Sequence, residues 1–111
     1  MVYKMKLNEA PFQKVKSKSK DIEMRLYDEK RRKIKVGDTI EFENATTKEK
    51  LLVEVIALHI FDSFDMLYSA LDKNRLGYSE NEIASPKDME KYYPVCEIMQ
   101  FGVVGIEIRL I

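Results

Sequence analysis

This chain has a single cysteine, a single histidine and no tryptophan. Cys96 alone cannot form an internal disulfide, which fits a reducing compartment, and it lacks a partner motif, so it reads as a small buried residue. With His59 the sole imidazole, a zinc site of ordinary type cannot be assembled, and His59 reads as a structural side chain. No cofactor is called for. There is no P-loop, and Gly102-Val103-Val104-Gly105 opens no helix, as a dinucleotide fingerprint would. No apolar run approaches the roughly 20 residues of a membrane helix, and Met1-Val2-Tyr3-Lys4 lacks the apolar stretch of a signal peptide. The expectation is a cytoplasmic protein with no membrane partner. No repeat or low-complexity linker interrupts the 111 residues, so residues 1–111 read as one domain.

Net charge is also missing, since 19 Lys and Arg balance 19 Asp and Glu. The balance conceals an asymmetry. Residues 14–35 hold ten of the basic residues and four of the acidic ones, so this segment carries +6 and the remainder −6. Such a segment gives a local field that attracts phosphate, and it makes Lys16, Lys18, Arg31 and Arg32 candidate contacts; a merely solvated surface is the alternative.

Local patterning places elements around it. Asn8 and Pro11 start a short helix through about Lys18, with Phe12 and Val15 on its buried side. Ile22, Met24 and Leu26 alternate with Glu23, Arg25 and Tyr27, the period of a strand. Glu23 and Arg25 then share one face, with Lys20 just before them. Gly37-Asp38 precedes a second strand in which Ile40 and Phe42 alternate with Glu41 and Glu43, and Asn44-Ala45-Thr46-Thr47 reads as a hairpin turn. The strand from Lys50 to about Leu58 is apolar on both faces, so it should be the most buried. Phe64, Leu67, Tyr68 and Leu71 recur with helical spacing after a cap at Ser63. Gly77 falls in the loop that follows. Ser79 with Glu82 fits a capping box, and Ser85-Pro86 starts a second short helix that carries Met89, Tyr92 and Tyr93 and is closed by Pro94. The last strand, residues 102–110, turns Val104, Ile106, Ile108 and Leu110 to the core, and its glycines imply a bend or a close backbone approach.

With these residues in place the chain resembles the ASCH-domain family, whose hallmark is a GxKxxExR pattern where the first helix meets a strand. Lys20, Glu23 and Arg25 match; the leading glycine position holds Lys18, which would resist a left-handed backbone. The likeness continues through Val36-Gly37-Asp38-Thr39-Ile40-Glu41-Phe42, Ser63-Phe64, Met89-Glu90-Lys91-Tyr92-Tyr93 and Gly102-Val103-Val104-Gly105-Ile106. It implies an α+β, mainly β domain: a PUA-like, bent, closed β-barrel of five to six strands with flanking short helices beside a cleft. It also implies that the cleft binds RNA or a nucleotide. Arg25 would fork to phosphate or a base edge, Lys20 would supply a point charge, and Glu23 would accept from an exocyclic amine. Tyr27, Tyr92 or Tyr93 would stack an unpaired base, against the alternative that these rings belong to the core.

The same resemblance supplies an enzymatic alternative. Some small members resemble amidohydrolases that remove an acyl group from cytidine or a related nucleoside with a Lys, a Thr and a Glu. Here the lysine position is Lys20, but the threonine position is Glu23, which cannot act as a hydroxyl nucleophile. A Lys20-Glu23 pair activating water would be the remaining route, with Glu80 or Glu82 as the distal acid. The expectation is a binding module.

Overall fold

The computed structural model describes residues 1–111. Five strands form one mixed sheet: β1 (Val2–Leu7), β2 (Ile22–Leu26), β3 (Thr39–Asn44), β4 (Lys50–Phe61) and β5 (Val103–Leu110), in the order β1-β3-β4-β5-β2. Only β1 and β3 pair in parallel; the other three pairings are antiparallel. Four α-helices accompany them, α1 (Glu9–Lys16), α2 (Phe64–Ala70), α3 (Lys73–Leu76) and α4 (Val95–Phe101), with 3₁₀ segments at Arg31–Lys33 and Pro86–Lys91.

Two apolar cores explain the curl of this sheet. Its inner face and α1 enclose Phe12, Val15, Ile40, Phe42, Val53, Val55 and Ile106. The outer face of β2 and β5 carries Ile22, Met24, Leu26 and Val103 against Phe64, Leu67, Leu76, Met89 and Ile98 of the helical side. A β-bulge between Val55 and Ala57 sharpens the bend of β4. Gly105 lets this second layer close. A Cβ there would stand 3.1 Å from both Ile22 Cγ2 and Leu71 Cδ1, a close approach of the kind expected of that glycine.

The sheet is an open half-barrel, which corrects the expectation of a closed one. β1 and β2 are both edge strands, and no backbone ladder joins them. Across that seam the Arg25 Nη2 of β2 donates to the Lys6 carbonyl of β1 at 3.0 Å. A side chain takes the place of a strand pairing.

The local readings for β2, β3, α1 and α2 agree with the structure. The Ser63 hydroxyl accepts from the Met66 N–H at 3.2 Å, and buried Asn44 fixes the hairpin by accepting from the N–H groups of Thr46 and Thr47. Others need correction. β1 was missed. β4 is not the most buried strand: Leu52 and Ile60 are about half exposed, whereas β5 is buried along most of its length. The short helix α3 precedes Gly77, which lies in a turn outside the helices as expected and caps α3 with φ +111°. Ser79 and Glu82 close a turn, not a helix: the Glu82 carboxylate accepts from the Ser79 N–H at 2.8 Å. Pro94 opens α4 instead of ending an element, since a proline is accommodated where the first N–H groups have no partner. On that helix Cys96 is exposed, not buried.

Candidate functional site

The site grows out of the turn between α1 and β2. α1 ends at Lys16, and Lys18 adopts φ 69°, the left-handed conformation that glycine would take without strain. The chain then folds back so that the Lys20 N–H donates to the Lys14 carbonyl at 3.1 Å. This sends the Lys20 side chain under the end of α3, where its ammonium donates to the Leu76 carbonyl at 2.9 Å. Gly77 covers the aliphatic stem, and a Cβ at Gly77 would lie 3.2 Å from Lys20 Cδ.

β2 then projects Glu23 and Arg25 from its inner face into the seam. Lys20 Nζ is 3.3 Å from Glu23 Oε1, and the Nε and Nη2 of Arg25 donate to Glu23 Oε2 at 3.1 and 2.8 Å. Lys20 and Glu23 are 6% exposed, so the desolvation penalty is substantial and each charge needs its partner. Burial pushes the Glu23 carboxyl up, but the Lys20 and Arg25 charges outweigh it and hold the group below the ordinary glutamate range. Burial likewise works against the Arg25 charge, and Glu23 more than offsets it.

This triad lies in the wall of an open cleft of about 650 Å³ between α1, β1, β2, α3 and the 3₁₀ helix Pro86–Lys91. Lys6, Lys14 and Lys91 add positive charge to its lining; Tyr78, Glu82, Asp88, Tyr92 and Tyr93 add polar and aromatic surface. Arg25 Nη1 donates to no carboxylate or carbonyl of the protein, the Tyr93 hydroxyl being the other group that interacts with this guanidinium, and the Lys20 ammonium uses two of its three protons on the contacts above. The arrangement therefore offers hydrogen-bond donors to a polar or anionic group, whereas a carboxylate held this low is a poor general base near neutral pH.

Of the residues singled out in the sequence, Lys20, Glu23, Arg25, Glu82, Tyr92 and Tyr93 line the cleft. The Tyr93 ring stacks on Phe64 with centroids 6.2 Å apart, and burial raises its hydroxyl pKa. The others are turned elsewhere. Lys16 pairs with Glu49, Arg31 with Asp28, and Arg32 lies 4.3 Å over the Tyr27 ring while donating to the Phe101 carbonyl. Lys18 borders a smaller cleft of about 360 Å³. Among the tyrosines, Tyr27 and Tyr93 pack against the cores and Tyr92 is 55% exposed. Glu82 borders the main cleft, while Glu80 accepts from Asn74.

Two features carried no local signal. Tyr68, Tyr78 and Asp88 form a hydrogen-bonded chain, 2.8 Å between the hydroxyls and 2.7 Å from Tyr78 to Asp88 Oδ2. On the opposite side of α3, Arg75 bridges Asp21 at 2.9 Å and Glu107 at 3.1 Å, and Glu107 in turn lies 2.9 Å from His59 Nε2. The His59 contact lowers the Glu107 pKa. This chain anchors α3, whose carbonyl end holds Lys20, and gives His59 the structural place expected of it.

The ASCH domain family model matches residues 5–110. Two solved structures are similar over the whole chain. The crystal structure of hypothetical protein PH0355 has a TM-score of 0.84 at 32% identity, with 100% of each chain covered. The solution NMR structure of protein PF0455 from Pyrococcus furiosus has a TM-score of 0.78 at 33% identity, covering 100% of this chain and 98% of that one. No curated protein matches.

Proposed function

Because the chain belongs to the ASCH-domain family, we propose that its cleft binds RNA or a nucleotide, with Lys20, Glu23 and Arg25 as its charged floor. One observation carries this reading. A buried ion triad built only for stability would close on itself, but beyond Glu23 and the Lys6 carbonyl, Arg25 meets only the Tyr93 hydroxyl, and both side chains line an open cleft rimmed by Lys6, Lys14 and Lys91. Phosphate or a base edge is the natural acceptor for such a fork. Exposed Tyr92, with Lys91 Nζ 5.3 Å from its ring centroid, offers a stacking surface at the rim.

Hydrolysis of acylated cytidine is the weaker reading. The triad gives no hydroxyl nucleophile at Glu23, and its two cations hold the carboxylate in its unprotonated, weakly basic form. We expect no acid release from an acylated cytidine by the wild-type protein. Robust turnover that disappears in Glu23→Gln would replace the binding reading with the enzymatic one. The direct test of binding is titration of a short single-stranded RNA at about 50 and 200 mM salt, where contact with phosphates makes affinity fall steeply. Binding that ignores salt, or is absent, counts against the proposal.

A further inference from the structure

Asp88 stands on the cleft wall and forms no ion pair with a protein cation. It is an exposed residue of the 3₁₀ helix Pro86–Lys91, and its orientation is nevertheless fixed from behind. The Tyr78 hydroxyl has one proton and gives it to Asp88 Oδ2 at 2.7 Å. Tyr68, 2.8 Å from the Tyr78 oxygen, must therefore be the donor in that pair. The chain runs in one direction, Tyr68 to Tyr78 to Asp88, and Oδ1 of Asp88 has no partner in the protein. Burial, followed by the hydrogen bonds to Tyr68 and Asp88, raises the Tyr78 pKa, so the hydroxyl remains a donor under any physiological condition.

The cleft thus presents two kinds of group. Its floor has cationic donors on Arg25 and Lys20; its wall has a free, oriented acceptor on Asp88. A ligand that satisfies both carries an acceptor and an N–H donor on one polar edge or on a phosphate and its base. Adenine, cytosine and guanine have an exocyclic amine for the carboxylate. Uracil offers a single N–H flanked by two carbonyl oxygens, one or both of which would face the carboxylate charge. We propose that Asp88, positioned by Tyr78, makes the cleft select amino-bearing bases over uracil. The inference rests on the reading of the cleft as a nucleotide site and names the ligand class for it.

The experiment is fluorescence titration of the full chain with labelled single-stranded hexamers of cytidine, adenosine and uridine at low salt. The wild type should bind the cytidine and adenosine hexamers about tenfold more tightly than the uridine hexamer, the discrimination typical of one good polar base contact. Asp88→Asn replaces the carboxylate by a group that can also donate to a uracil carbonyl, so the ratio should shrink to about twofold or less. Tyr78→Phe, which keeps the ring and removes the orienting hydroxyl, should reduce the same ratio. Glu90→Gln removes a nearby carboxylate that does not line the cleft and should leave the ratio where it was. Equal, salt-sensitive affinity for all three hexamers would overturn the selectivity and leave RNA binding standing. An unchanged ratio in Asp88→Asn would also overturn it. Failure of every hexamer to bind would remove both proposals.

Discussion

Replacing Glu23 by glutamine separates the charge of the triad from its shape. The side chain is 7% exposed and accepts from Arg25 through Oε2 while lying 3.3 Å from the Lys20 ammonium. Glutamine retains an oxygen for Arg25 but leaves two cations near each other without a counter-charge. Breaking a buried pair costs about 3–5 kcal/mol, and because one hydrogen bond survives we expect the lower end, about 3 kcal/mol. For a domain of this size that is a fall in Tm of roughly 12 °C. Urea denaturation followed by circular dichroism reads the free energy directly. The pH dependence tests its origin. The folded Glu23 pKa lies below the ordinary value of 4.5, so its contribution is complete above that value and is lost as pH falls through the folded pKa. The gap between wild type and Glu23→Gln should therefore be constant from neutral pH to about pH 5 and narrow below it. Adding Lys20→Met to Glu23→Gln should cost less than the sum of the two single changes, because one stranded cation is removed. A loss below about 0.5 kcal/mol, the scale of an ordinary surface substitution, or a gap that does not vary with acidification, would refute the account of the triad as a compensated buried charge cluster.

Three further outcomes follow from the same geometry. Gly77→Ala forces a Cβ onto a φ of +111° and to 3.2 Å from Lys20 Cδ, and should cost about 2 kcal/mol in urea denaturation while weakening RNA binding through displaced Lys20. Lys18→Gly relieves the left-handed strain at φ 69° and should stabilise the fold by about 0.5–1 kcal/mol, the strain released less the added freedom of the unfolded chain; destabilisation would refute the assignment of strain there. Lys91→Ala on the cleft rim should lower the slope of log affinity against log salt by about 0.7 for a single-stranded RNA, while Lys16→Glu, whose native side chain pairs with Glu49, should alter affinity less.

Lys20, Glu23 and Arg25 were legible because their grouping is local: the turn after α1 and the alternation of β2 bring them together within six residues. The same holds for β3 and for α2 with its Ser63 cap. What failed was set by distant partners. β1 alternates Tyr3, Met5 and Leu7 with lysines, but its parallel pairing with β3 depends on the intervening helix and strand. Apolar residues on both faces of β4 suggested complete burial, yet no layer covers Leu52 or Ile60. Barrel closure was an expectation from the family resemblance, and local alternation, which gives strands but not the joining of edges, could not test it. The basic segment showed its charge and not its ion pairs, which draw Lys16 and Arg31 away from the cleft. Tyr78 and Asp88 meet only through the folding of α3 and the 3₁₀ helix against β2.

The bond from Arg25 to the Lys6 carbonyl has an implication for how such a site can diversify. Because the groups that would greet a ligand also tie the two margins of the sheet, a genetic screen for lost binding and a screen for lost folding would return the same floor residues. New preferences are thus more readily acquired on the wall, at Asp88 and Tyr92, where a side chain can be exchanged without loosening the frame. Descendants of one ancestral cleft would keep a common floor and differ in what their walls admit.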